Sequence, residues 1–152
     1  MILNRDYRDM LCALCAEDVK FLLVGAYAMA VHGYVRATAD IDIWIMPSPE
    51  NAKAVLRALS RFGAPLGDLP QQDLEKEGMI FQIGVAPCRI DILTAASGLE
   101  FESTFSRAIP VDIDGVQVRI PAIEDLILNK KTTGRTKDLA DAEALEGLRG
   151  SE

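Results

Sequence analysis

Asp40 and Asp42 stand one residue apart at the head of an otherwise apolar run, ADIDIWIM, residues 39–46. Alternate side chains of a strand point to opposite faces, so both carboxylates would share one face, roughly 6–7 Å apart along the chain. Ile41, Ile43 and Ile45 would fill the other face. No Gly or Asn follows to turn the chain, so two charges begin a strand whose remainder belongs in a core. An unpaired buried carboxylate costs on the order of several kcal/mol, and the placement needs local compensation. A hard divalent cation such as Mg²⁺ is the usual partner of such a pair. An Asp-x-Asp phosphatase would need Thr or Val next and a Lys later; here Ile43 and Trp44 follow.

The same spacing recurs at Asp112 and Asp114, with a different meaning. Asp114-Gly115, set between alternating apolar residues in VDIDGVQV, is the signature of a two-residue hairpin turn. That second pair is expected to be structural.

Upstream of Asp40, the run Phe21–Val24 reads as a short buried strand ending at Gly25. A short helix is expected over 26–32, with Gly33 as its stop. A helix start after Gly25 would offer free backbone N–H groups to a phosphate. His32, the single histidine, is expected to pack or cap rather than act as a base. Arg36 and Thr38 alternate with Asp40, so all three would share a face if the strand starts early, and Arg36 would then neutralise the acidic pair.

A third carboxylate, Asp91, lies between Ile90 and Ile92 in CRIDILT, where packing alone would not put it. Residues 79–84 and 88–94 read as an antiparallel hairpin. Pairing with Arg89 or exposure at a sheet edge would account for Asp91 structurally; beside Asp40 and Asp42 it also suits a shared cation.

The remaining chain reads as helices and connections. A helix over 5–18, capped by Asn4, would bury Tyr7, Met10, Leu11, Leu14 and Cys15. Ser48, Pro49 and Glu50 open another, which Gly63 ends, with Val55, Leu56, Leu59 and Phe62 inside. Residues 64–78 suggest a surface loop with one short helical turn. A helical turn around Phe101 and Phe105 would cover the sheet. A helix over 122–131 would bury Ile123, Leu126 and Ile127 and carry Lys130 and Lys131 at its C-terminal end. In a final helix Leu139, Ala142 and Leu145 would face inward, with Asp138 and Asp141 near the positive end of the dipole.

Composition narrows the function. A net charge of −7 argues against nonspecific binding to bare nucleic acid, which depends on Lys and Arg neutralising phosphates. A nucleotide arriving with its own Mg²⁺ is a different matter. The chain of 152 residues is expected to form one domain, residues 1–152, with C-terminal helices 122–147 packed on its core. No membrane span or signal peptide is legible, and three cysteines suit a reducing compartment, so a cytoplasmic protein is expected. Cys12 and Cys15 form a CxxC, expected to be buried helix cysteines rather than a redox or metal motif.

Three blocks, VGAYAMAVHGYVRATADIDIWI, FQIGVAPCRIDILT and EDLILNKKTTGRTKDLADAEAL, occur in an order that resembles the minimal nucleotidyltransferase superfamily, most closely its AbiEii-like toxin branch. The resemblance covers roughly residues 20–146. It implies an α+β fold of polymerase-beta type, a small mixed or antiparallel sheet with helices packed on it. It also implies a Mg²⁺-dependent enzyme that moves a nucleoside monophosphate from a triphosphate to a hydroxyl on RNA, a small molecule or a protein. An antitoxin partner would accompany the toxin role. By matching position, Asp40, Asp42 and Asp91 would bind two Mg²⁺ ions, with Asp91 also the base. Gly25 and Ala26 would form the phosphate turn, with Arg36 and Thr38 nearby and Lys130 or Lys131 approaching the triphosphate. The family usually has Gly-Ser where this chain has Gly25-Ala26, leaving only backbone N–H groups there. A degenerate member that binds nucleotide or protein without turnover is the alternative.

Overall fold

The structure, a computed structural model, describes residues 1–67 and 69–150. Asp68, within the loop expected over 64–78, and the last two residues of the expected domain lie outside the described residues.

Helix α1, Arg5–Ala16, begins where Asn4 accepts a hydrogen bond from the Tyr7 N–H at 2.8 Å. Strand β1, Phe21–Val24, runs directly into α2, Gly25–Val31, and β2, Asp40–Ile45, returns antiparallel to β1. Helix α3, Pro49–Phe62, has Ser48 as its side-chain cap and stops at Gly63 in the left-handed region. The short helix α4, Gln71–Glu75, precedes the hairpin of β3, Ile80–Ile83, and β4, Arg89–Leu93. Helix α5, Phe101–Arg107, leads to a second hairpin, β5, Ile109–Ile113, and β6, Val116–Ile120. Helices α6, Ile123–Thr133, and α7, Thr136–Gly150, follow.

Among the described residues the main sheet has the order β1-β2-β4-β3, and only β2 and β4 are parallel. The α+β expectation, a small mixed sheet with helices packed on it, holds. One face carries Ile41, Ile43, Ile45, Ile90 and Ile92 into the main core against α1 and α3. The other face is divided. Toward the far end of β2, Trp44 packs edge-to-face on Phe101 of α5 at 5.1 Å, with Leu22 and Val24 alongside. Toward its start that face is polar, because Asp40 and Asp42 occupy it.

The hairpin at Asp114-Gly115 follows from the dipeptide: both residues have positive φ, +51° and +84°, as a turn matching strand twist requires. Asp112 accepts from the Gly115 N–H at 3.0 Å and from Gln117 at 2.8 Å, so this acidic pair is spent on the turn.

Several expectations are corrected. Strand β2 begins at Asp40 and not earlier, so Arg36 and Thr38 lie in the irregular stretch before it. The reason is pairing: β1 ends opposite Asp42 and β4 begins opposite Asp40, so the ladder stops after the bond from the Arg89 N–H to the Ala39 carbonyl. Cys12 and Cys15 are exposed, flanking a buried stripe of Tyr7, Met10, Leu11 and Leu14. Leu139 is 49% exposed, whereas Asp138 and Asp141 are buried with Ala142 and Leu145. Spacings of three and four place 138, 141, 142 and 145 on one helical stripe and leave 139 off it.

Asn51, in the first turn of α3, is a fold element the sequence did not flag. Its side chain accepts from the Lys20 N–H at 2.8 Å and donates to the carbonyls of Lys20 and Met46 at 3.0 and 2.9 Å. It ties the entry of β1 to the exit of β2. Asn51→Ala leaves three part-buried backbone groups without their partner, and we expect it to cost about 1–3 kcal/mol in denaturant unfolding. A loss under about 0.5 kcal/mol, the range of an ordinary surface change, would remove the clamp from the account.

Candidate functional site

The parallel pairing of β2 with β4 builds the centre of the site. It sets Asp42 beside Asp91 and Asp40 beside Arg89, all on the polar face of the sheet. One oxygen from each of Asp40, Asp42 and Asp91 lies within 4.8 Å of the others. Three carboxylates at that separation suit a divalent cation, whose oxygen ligands stand about 2–2.6 Å from the metal. Asp40, Asp42 and Asp91 are the residues that would hold it.

Asp42 shows the strain of this arrangement. Burial first, then the charges of Asp40 and Asp91, push its carboxyl up to about 7, against the opposing pull of Lys130 and Arg89. Gly25 explains how so crowded a carboxylate fits. At φ +67° its backbone passes directly over Asp42, and a Cβ there would overlap the carboxylate oxygen Oδ2. The glycine expected as a phosphate turn therefore has a second, steric reason to be glycine.

Arg89 closes the square. Its guanidinium donates to Asp91 Oδ1 and Oδ2 at 2.9 and 3.1 Å and to Asp40 Oδ2 at 2.7 Å. Asp91 is paired with Arg89 and stands beside Asp40 and Asp42; it is buried on an inner strand and not exposed at a sheet edge. Thr38 donates to Asp40 Oδ1 at 3.2 Å and to the Asp40 carbonyl at 3.1 Å, fixing the head of β2.

Above the triad opens a cavity of about 780 Å³, walled by Gly25, Ala26, Lys130, Arg135 and the loop 95–99. Its basic wall is a ladder of alternating charge. Arg36 Nη2 meets Asp141 Oδ2 at 3.2 Å, and Lys130 Nζ sits 3.3 Å from Asp141 and 3.6 Å from Asp138. Arg135 Nε completes it at 2.7 Å from Asp138. For Asp138, burial raises the carboxyl, but hydrogen bonds from Arg135 and Thr133 and the charge of Lys130 outweigh it, leaving the group below its ordinary range. The buried pair Asp138 and Asp141 thus holds Lys130 by two ion pairs at the cavity wall.

Of the residues singled out in the sequence, Gly25, Ala26, Arg36, Thr38, Asp40, Asp42, Asp91 and Lys130 all line this cavity. Lys131 does not. It is 52% exposed at its side chain and pairs with Glu146 at 3.0 Å, because the next helical position turns it away from Lys130. Arg36 pairs with Asp141 and not with the Asp40–Asp42 pair it was expected to neutralise; the cation on the cluster is Arg89, which bonds Asp40 and Asp91. His32 Nε2 meets the Pro121 carbonyl at 2.9 Å, a packing contact at the end of α2. Asp138 and Asp141 were read only for the helix dipole; Asp138 lines the cavity, and Asp141 pairs with Lys130 and Arg36. Their signal was the coincidence of Asp138 and Asp141 with the apolar stripe of α7, which an acidic pair serving only a helix dipole does not need.

Comparison with known proteins follows the same line. A family model described as "Nucleotidyltransferase of unknown function (DUF6036)" matches residues 8–148. No curated protein sequence matches the chain. Among solved structures, the chain is similar to the antibiotic-resistance factor ANT(2")-Ia, solved in complex with adenylyl-2"-tobramycin. There the TM-score is 0.55 at 16% identity, over 95% of this chain and 93% of that one. It is also similar to TM1012 of Thermotoga maritima, a candidate nucleotidyltransferase. That comparison gives a TM-score of 0.60 at 14% identity, over 99% and 97% of the two chains. At such identities the likeness is one of fold. Among the described residues no helix is long and apolar enough to cross a membrane.

Proposed function

The chain belongs to the nucleotidyltransferase family DUF6036, and from that membership and the geometry of its cavity we propose that it transfers a nucleoside monophosphate from a triphosphate to a hydroxyl. The observation that supports this most is the convergence of Asp40, Asp42 and Asp91 within 4.8 Å beneath a wall carrying Lys130. In the reaction an acceptor oxygen bonds to the α-phosphorus, the bond to the bridging oxygen breaks, and pyrophosphate leaves. Asp40, Asp42 and Asp91 would hold divalent metal, which would supply neutralisation of the charge that develops during transfer. Lys130, paired with Asp138 and Asp141, binds phosphate oxygens, and Asp91 takes the proton of the acceptor hydroxyl. Backbone N–H groups after Gly25 receive phosphate without help from a side chain, since Ala26 has none to offer.

The acceptor is a hydroxyl of an RNA end, a small molecule or a protein. A toxin role with an antitoxin partner in the cytoplasm belongs to the same proposal and rests on the resemblance of the three sequence blocks. A second reading, nucleotide binding without turnover, rests on Ala26.

Calorimetric titration of each ribonucleoside triphosphate, with and without Mg²⁺, is the test. Binding that requires Mg²⁺ and falls at least about tenfold in Lys130→Ala is expected. No binding to any triphosphate would overturn the proposal. Binding without pyrophosphate release across RNA, aminoglycoside and protein acceptors would select the second reading.

A further inference from the structure

Three of the six carboxylate oxygens of the triad already accept from Arg89. Arg89 holds Asp40 Oδ2 and both oxygens of Asp91 with three charge-assisted hydrogen bonds of 2.7–3.1 Å, and two of these form a bidentate fork. Asp42 alone of the triad has no bond to it. We propose that Arg89 is an internal counter-cation that closes the acidic triad to free divalent metal and yields it only when metal arrives with a polyanionic ligand.

The backbone around Arg89 supports this division of labour. Its carbonyl accepts from the buried Tyr7 hydroxyl at 3.1 Å, and its N–H donates to the Ala39 carbonyl at 3.3 Å. The main chain is therefore pinned while the side chain, 33% exposed, has solvent and the cavity to turn into. Rotation about its own side-chain bonds removes the guanidinium from Asp40 and Asp91 without disturbing β4. Leaving costs three hydrogen bonds to carboxylates. Free metal offers no replacement for them, whereas a phosphate chain along the cavity does. Arg89 accordingly couples metal entry to ligand arrival and suppresses occupation of the triad by metal alone. The ligand arm of this inference rests on the nucleotidyltransferase reading; the metal arm does not.

The test is binding of Mn²⁺ to the full chain, followed by the spectroscopic signal of free Mn²⁺, in wild type, Arg89→Gln and Arg89→Lys. Without nucleotide, Arg89→Gln is expected to bind Mn²⁺ at least about tenfold more tightly than wild type. Arg89→Lys, which keeps the charge but loses the fork, should fall between them. With a ribonucleoside triphosphate present, the advantage of Arg89→Gln should shrink or reverse. Unchanged or weaker Mn²⁺ binding in a folded Arg89→Gln would overturn the inference, as would absence of Mn²⁺ binding from all three proteins. If Arg89→Gln fails to fold, the Arg89→Lys comparison decides by the same criterion. Tighter Mn²⁺ binding in the variant, together with no triphosphate binding by wild type, would uphold the metal gate and reject the nucleotide reading.

Discussion

Asp42→Asn is expected to abolish metal-dependent turnover, by about a thousandfold or more, while making the metal-free protein more stable at neutral and alkaline pH. The two effects have one origin. Burial, Asp40 and Asp91 hold the Asp42 carboxyl up near 7 in the folded chain, whereas in the unfolded chain it returns to about 4. Between those values the folded protein keeps a proton that the unfolded protein releases. Stability from this group is therefore fully present below about pH 4, declines as pH rises through about 7, and is lost above it. The size of that loss is about 2–4 kcal/mol, allowing for the coupling among the three carboxylates. Asparagine resembles the protonated form, so the variant should show little of this decline. Denaturant unfolding in chelator from about pH 5 to pH 8 would measure both proteins. A variant less stable than wild type at about pH 8 would mark Asp42 as a structural group and contradict the repulsion described here. Divalent metal together with a triphosphate should reverse the trend in wild type, because metal and proton compete for the same carboxylate.

Gly25→Ala should be as damaging to the site as loss of Asp42, although no charged group is touched. The backbone at φ +67° disfavours any side chain, and the new methyl would overlap the Asp42 carboxylate. We expect a loss of about 2–4 kcal/mol in stability, from strain in the left-handed region plus steric displacement. Metal-dependent nucleotide binding should be lost with it, because the only cheap relief is to swing Asp42 out of the triad. A double-mutant cycle with Asp42→Ala separates the contributions. If the collision dominates, Gly25→Ala should cost markedly less when Asp42 is already alanine. Equal cost in both backgrounds would assign the damage to backbone strain alone, and a cost under about 0.5 kcal/mol would remove Gly25 from the steric account.

These two residues also show how the reading from sequence relates to the fold. Asp40 and Asp42 were legible because strand periodicity is local: a carboxylate at every second position of an apolar run must share a face, whatever the partner strands are. The hairpin at Asp114-Gly115 and the helix stop at Gly63 were legible for the same reason, since each is decided within a few residues. Asp91 stood out as a charge in a core segment. That it would lie beside Asp42 came only with the resemblance, because register between strands 49 residues apart is not written in either one.

What the chain determined by itself is thus the set of local conformations, the alternation that gathers carboxylates on one face, and the acidic character that calls for a cation. What only the tertiary structure decided is which charges meet. Lys130 faces Asp138 and Asp141 while Lys131 turns to Glu146, and Arg89 rather than Arg36 stands against the triad. Asp138 and Asp141 become buried partners of Lys130 only when α7 closes on α6. The physical reason is range. Backbone propensity and side-chain periodicity act over a few residues, whereas an ion pair is chosen by the packing of whole elements, which bring distant residues within a few ångströms and exclude the water that would screen them.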